Sequence, residues 1–281
     1  MKLAQKLAKA SVIIHINLLA LFSKRKAAVK AMQIFQTILR RKKREETELF
    51  RSAEKVEFDF NGTKIRGFRW NRPGQRKALV LHGHDSSVLN FEIYINGFLA
   101  KGYEVLAFDA PAHGVSDGTR VNALEYRNFI IYIHEHFGPV KSYVAHSFGG
   151  LALPLAIEKI NHDESYRLAL IAPATESTSS IKRFFKILRL HDKKVKEEFD
   201  KLIFEVSGYP PAWYSVTRAM QSIKAKVIWA HDEDDDVTPL ADALKVKEQN
   251  YPNIKFVITK GLGHNQVYKD EHVVKAILDF L

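Results

Sequence analysis

From Val56 to the C-terminus, apolar residues recur with two alternating periods. Val56-Glu57-Phe58-Asp59-Phe60 alternates apolar and polar, Asn61-Gly62 is a tight-turn pair, and Lys64 to Trp70 returns. That pattern predicts a β-hairpin. After the Arg72-Pro73-Gly74 loop the strand-like runs become short and almost wholly apolar, with helical spacing between them. Strands are expected at 78–81, 103–108, 142–145, 167–171, 226–230 and 254–259, and helices at 88–99, 123–137, 151–160, 240–250 and 273–281. Such alternation predicts an α/β protein with a mostly parallel, doubly wound sheet covered on both faces. Functional groups in these sheets gather at the carboxyl ends of the strands. A long excursion over 173–222 interrupts the alternation.

Residues 1–50 follow a different rule. Val12 to Phe22 is nearly continuous apolar sequence, and Ala28, Ala31, Phe35 and Ile38 recur at helical spacing behind it. Two basic amphipathic helices are therefore expected, the second closed by Arg40-Arg41-Lys42-Lys43-Arg44 at the negative end of its dipole. Eleven apolar residues are too few to span a bilayer, which takes about 20. A secretory signal is argued against by His15 and Asn17 inside the run and by Lys24-Arg25-Lys26 directly after it.

Charge sharpens this division. The chain of 281 residues carries a net charge of +11, yet twelve of its 43 Lys and Arg lie in residues 1–44, which contain no Asp or Glu. The remainder holds 31 basic against 32 acidic side chains. The basicity thus belongs to the extension, where it suits an anionic membrane surface, each basic residue being worth about 1 kcal/mol there. The alternative is that the helices pack on the body and present a solvated basic face. Few aromatics and no nucleic-acid-binding signature argue against nucleic acid. With no cysteine, disulfides, thiolate metal sites and cysteine nucleophiles are excluded. A cytoplasmic protein, peripheral at a membrane, is the expectation.

Candidate chemistry centres on Tyr143-Val144-Ala145-His146-Ser147-Phe148-Gly149-Gly150, a strand running into a helix through a serine flanked by small residues. A sharp turn of this kind lifts the hydroxyl out of the sheet. Serine chemistry also needs a base, a carboxylate to orient it and backbone N–H groups for the oxyanion. Later strands empty into His231-Asp232-Glu233-Asp234-Asp235-Asp236-Val237-Thr238-Pro239 and into Lys260-Gly261-Leu262-Gly263-His264-Asn265.

On these motifs, roughly residues 54–281 resemble the α/β-hydrolase superfamily. The acid four residues before a proline matches Asp235, with Asp234 as the fallback, and the histidine of the Gly-x-Gly-His turn matches His264. The resemblance implies a Ser147-Asp235-His264 triad, with the backbone N–H groups of His84 (in Leu81-His82-Gly83-His84) and Phe148 as oxyanion donors. Asp109-Ala110-Pro111-Ala112-His113-Gly114-Val115-Ser116 resembles the family's Asp-x-Pro-Gly-His-Gly-x-Ser loop, with Ala112 replacing the usual glycine; a structural role is expected. Ala145 stands where the elbow usually has glycine.

A metal site built on His82, His84, Asp85 and His113 with the acidic run 232–236 is a rival reading, but available ligands are not geometry, and the resemblance implies neither metal nor cofactor. It further implies that 173–222 is a cap over the site, whose apolar and aromatic residues either line a pocket or simply pack. The implied activity is hydrolysis of a small, apolar carboxylic ester. Thioesterase, amidase and acyltransferase chemistry, or a non-catalytic membrane- or partner-binding module, remain alternatives, because fold does not fix function.

Overall fold

The computed structural model describes residues 3–39 and 45–281; the basic run 40–44 lies outside them. In chain order the main elements are α1 (Leu3–Phe22), α2 (Lys24–Gln36), β1 (Glu54–Phe60), β2 (Thr63–Trp70), β3 (Lys77–Leu81), α3 (Glu92–Ala100), β4 (Glu104–Phe108), α4 (Ala123–Phe137) and β5 (Ser142–His146). They continue with α5 (Ser147–Ile157), β6 (Arg167–Ile171), α6 (Ser177–Ile187), α7 (Lys193–Ser207), β7 (Lys226–Asp232), α8 (Leu240–Lys247), β8 (Ile254–Thr259) and α9 (Glu271–Phe280). Two compact units result: Met1–Thr37 with Ser177–Tyr214, and Ile38–Glu176 with Ser215–Leu281.

The larger unit is a single eight-stranded sheet of order β1-β2-β4-β3-β5-β6-β7-β8. The β1–β2 hairpin turns at Asn61-Gly62 and adds antiparallel to β4, whereas every other pairing is parallel. β4 and β5 are buried along their whole length, as a strand covered on both faces must be. On one face Val80, Val105, Val144, Ile171 and Ile228 pack against Phe91, Tyr94, Ile95 and Phe98 and against Val273, Val274 and Ile277 of α9. Each large side chain so buried contributes about 1.5–3 kcal/mol. Phe58 of β1 stacks on Phe129 and Tyr132 of α4, and Phe60 meets the same two rings edge-on.

Three predicted helices shift at their N-termini, the last of them, expected from Val273, by two residues to Glu271. The segment expected to run from Val88 opens as a 3₁₀ turn, Val88–Phe91, because Ser87 caps it and the buried Asp109 carboxylate takes the Val88 N–H. The helix expected from Leu151 begins at Ser147, so the serine is its first residue.

Parallel register fixes where the loops emerge. Leu81 pairs with Ala145, placing the turn after β3 beside the turn after β5. Asp232 pairs with Thr259, placing the acidic loop after β7 beside the glycine-histidine loop after β8.

The smaller unit is helical. Ile16 and Ala20 of α1 and Ala27, Ala28 and Ala31 of α2 share one core with Ile181 and Phe185 of α6, Leu188, Leu190, and Val195 and Phe199 of α7. Ser23 caps α2 and Asp192 caps α7. Asp192 also pairs with Lys24 at 2.6 Å, and Arg25 pairs with Glu198 and Glu205. The helix expected to be closed by Arg40-Arg41-Lys42-Lys43-Arg44 ends instead at Gln36, where Thr37 turns to extended backbone. Ile181, Phe185 and Leu188 are packing residues of this core, and Trp213 stacks on Tyr209 at 4.0 Å.

Candidate active site

β5 delivers Ser147 at the sheet's carboxyl edge with φ +53°, in the left-handed region that a non-glycine residue occupies at a cost of about 1–2 kcal/mol. The turn closes because its neighbours are bare: a Cβ on Gly149 would lie 2.7 Å from the His82 carbonyl oxygen, and one on Gly83 would lie 2.9 Å from Ser147 Cβ. Ala145 sits one residue inside β5, fully buried, and its methyl is a core contact rather than an obstacle to the turn.

Ser147, His264 and Asp235 meet. Ser147 Oγ lies 2.9 Å from His264 Nε2, and His264 Nδ1 lies 2.8 Å from Asp235 Oδ2. A carboxylate is an acceptor, so Nδ1 carries the proton and Nε2 is left to accept from the serine hydroxyl. Asp235 Oδ1 accepts from the Val237 and Thr238 N–H groups, each at 2.8 Å, and Oδ2 also accepts from the Thr238 hydroxyl at 2.8 Å. Burial pushes the Asp235 carboxyl up, but the bonds from His264 and Thr238 outweigh it and hold it below its ordinary value. It is therefore a charged, oriented partner for the imidazole.

The neighbouring acids do other work. Asp234 is exposed, and its carboxylate accepts from the Gly261 N–H at 3.0 Å. Asp232 is buried and accepts from the N–H of Gly263 at 2.8 Å and the hydroxyl of Thr259 at 2.7 Å, tying the two loops together. Asp235, not Asp234, is the carboxylate within reach of His264.

Phe148 follows the serine directly, and its ring lies 6.0 Å from that of His84. The His82-Gly83-His84 turn is braced by the Tyr126 hydroxyl, which donates to the His82 carbonyl at 2.9 Å. It is braced again by His82, whose Nε2 accepts from the Ala110 N–H at 3.0 Å while Nδ1–H donates to Gly83 O at 2.8 Å. Burial pushes His82 down to about 4, so it stays neutral and keeps this bonding. The Asp109–Ser116 loop is a buttress: Asp109 accepts from the Val88 and Val115 N–H groups, and Ala112 sits at φ +69° where glycine is usual. His113 spends Nδ1 on the Pro111 carbonyl. Among the described residues, no three His, Asp or Glu side chains are grouped to hold a metal ion.

One residue escaped the sequence reading. His146, beside the serine, is buried 4.6 Å from the Tyr268 ring and 4.8 Å from His264, and its Nε2–H donates to the His264 carbonyl at 3.2 Å. Burial, reinforced by His264, pushes it down to about 3. It braces His264 as a neutral ring. Its only sequence signal was its place directly before the serine.

A buried serine, histidine and carboxylate joined at the carboxyl edge of a doubly wound sheet define the α/β-hydrolase class. A family model described as "Alpha/beta hydrolase family" matches residues 78–274, and the chain belongs to that family. No curated protein matches the chain by sequence. Among solved structures it is similar to an esterase from Pyrococcus furiosus (19% identity, TM-score 0.66, 87% of this chain and 98% of that one). It is similar to the thioesterase domain from the curacin biosynthetic pathway (16%, 0.57, 81% and 99%). A third is a membrane phospholipase A, described as a bacterial virulence factor (16%, 0.61, 99% and 98%). At these identities the likeness establishes the fold.

Proposed function

We propose that this protein hydrolyses a carboxylic ester with an apolar acyl group through an acyl-enzyme. The observation that carries this reading is the unbroken hydrogen-bond chain Ser147–His264–Asp235. In the proposed reaction Ser147 Oγ bonds to the carbonyl carbon as its proton passes to His264 Nε2. The carbonyl electron pair moves to oxygen, where the N–H groups of His84 and Phe148 receive it. Collapse expels the alcohol, which takes the proton from His264, and water repeats the sequence to release the acid. Asp235 stabilises the imidazolium throughout. No cofactor takes part.

The test is hydrolysis of a p-nitrophenyl ester series of increasing chain length, beside matched thioester and amide substrates. Ester turnover that Ser147→Ala abolishes supports the reading. Thioester or amide turnover in its place would move the assignment to those bonds, and a well-folded protein inert to all three would favour a binding module.

A second reading concerns place. While Ile16 and Ala20 are buried, Ile14, Leu18, Leu21 and Phe22 of α1 are 59%, 52%, 73% and 87% exposed. Their spacing puts them on one face of the helix, in a segment without an acidic residue through position 44. Four large apolar side chains beside cationic sequence suit the interface of an anionic bilayer, each contributing about 1.5–3 kcal/mol if fully buried. Co-sedimentation with phosphatidylserine vesicles should fall at least tenfold in Leu18→Asp/Phe22→Asp, with weak binding to neutral vesicles. Unchanged binding by that variant would sink the membrane reading, and dimers lost on the same substitution would assign the face to a second copy.

A further inference from the structure

The acid loop is held from behind by groups that the hydrolytic mechanism does not use. Trp229 and His231 alternate along β7 with the core residues Ile228 and Ala230 and so share the other face of the strand. Both are fully buried. Trp229 Nε1 lies 3.3 Å from His231 Nδ1, and His231 Nε2 lies 2.8 Å from the Thr238 carbonyl oxygen. An indole nitrogen only donates and a carbonyl only accepts. His231 is therefore fixed from both ends as the neutral Nε2–H form. The residue it grips, Thr238, gives Asp235 two of its hydrogen bonds, one from the N–H and one from the hydroxyl. The same hydroxyl lies 3.1 Å from His264 Nδ1.

His231 is also a potential competitor. Its Nε2 stands 3.6 Å from Asp235 Oδ2, the oxygen that holds His264. If His231 became charged, it would draw that carboxylate away from His264. Protonation can occur only at Nδ1, where the Trp229 N–H already points. We infer that Trp229 and His231 are positioning residues: the indole N–H occupies the ring nitrogen of His231 that could take a proton, and neutral His231 holds the Thr238–Asp235 loop so that Asp235 serves His264 alone. The inference rests on the reading of Ser147–His264–Asp235 as the reacting group.

The groups acting on His231 are consistent with this. Burial pushes it down most strongly and nearby His264 pushes the same way; the Thr238 carbonyl, Asp235 and Asp232 pull it up, without prevailing. Removing the indole N–H subtracts the one group that directly blocks Nδ1.

The experiment follows the rate of fluorophosphonate labelling across mildly acidic to alkaline pH. Wild type should show the single ionisation of a serine activated by one histidine. Trp229→Phe should label at close to the wild-type rate at alkaline pH but fall away more steeply on acidification. Once His231 titrates, each further pH unit costs about an additional tenfold. In Trp229→Phe/His231→Gln the extra ionisation should vanish, because a glutamine amide still donates to Thr238 and cannot be protonated. A folded Trp229→Phe with the wild-type profile, or an extra ionisation that survives in the double variant, overturns the inference. If Trp229→Phe does not fold, His231→Gln and His231→Leu decide it. Gln should keep the maximal inactivation rate, and Leu should lower it about tenfold with the probe's apparent affinity unchanged. Equal rates for both would overturn the inference. Wild type that fails to label at all removes the underlying triad reading and the inference with it.

Discussion

Asp235→Asn isolates the role of one oxygen. In the native loop Asp235 Oδ1 is claimed by two backbone N–H groups, Val237 and Thr238, at 2.8 Å each. An asparagine must place its carbonyl oxygen there, because turning the amide over would set its NH₂ against two donors. The NH₂ then occupies the site of Oδ2, facing His264 Nδ1. Donor facing donor is untenable, so His264 moves its proton to Nε2. That nitrogen, 2.9 Å from Ser147 Oγ, then offers a proton where the reaction needs an acceptor. Geometry is kept, while the tautomer and the stabilising charge are lost. Turnover should fall about 10³–10⁴-fold, or about 4–5.5 kcal/mol of transition-state stabilisation. Asp234→Asn should cost less than about threefold, since that exposed carboxylate binds only loop backbone. The assay is the ester hydrolysis rate of both variants, with circular dichroism to establish folding. A loss under tenfold in Asp235→Asn, or equal losses in the two variants, would refute the reasoning.

Three further outcomes follow from the packing around the site. His82, His113 and His146 are held at about 4, about 3 and about 3, chiefly by burial, against an ordinary 6.5. The unfolded chain takes up these protons near pH 6.5 and the folded chain does not. Stability should therefore be full above that pH and fall toward pH 4, by up to about 1.4 kcal/mol per histidine per pH unit; a Tm that is flat from pH 7 to 5 would contradict this. Gly149→Ala forces its methyl to within 2.7 Å of the His82 carbonyl and should cost about 1–3 kcal/mol, read as a lowered midpoint in urea. Ala112→Gly relieves a left-handed alanine at φ +69° and should raise the midpoint by up to about 1 kcal/mol. A fall there would mean that the alanine methyl contributes packing that outweighs the strain.

How much of this was legible in the sequence depends on how local each signal is. Alternation from Val56, the Asn61-Gly62 turn and the short apolar runs are local patterns, and the sheet they build is the one observed. The small residues around Ser147 could be read because the tight turn demands them. Choosing between Asp235 and Asp234 could not rest on composition in a run of five acids. It depends on which residue the loop turns inward, and that is set by the Val237 and Thr238 N–H groups and by His231 from β7. His146 was invisible because its partners, Tyr268 and His264, lie more than a hundred residues away. The N-terminal apolar residues fit either a lipid-facing set or packing on the body. In fact α1 is apolar on two faces, and Ile16 and Ala20 pack with α6 and α7, a pairing across 160 residues that no local period reveals.

The central claim is that Ser147 is activated by His264. Its most direct test is fluorophosphonate labelling of wild type, Ser147→Ala and His264→Ala, with mass spectrometry of the modified peptide. The account predicts one adduct, on Ser147, absent from Ser147→Ala and slowed at least about 10³-fold in His264→Ala. An adduct on another residue, or labelling that survives Ser147→Ala, would contradict it.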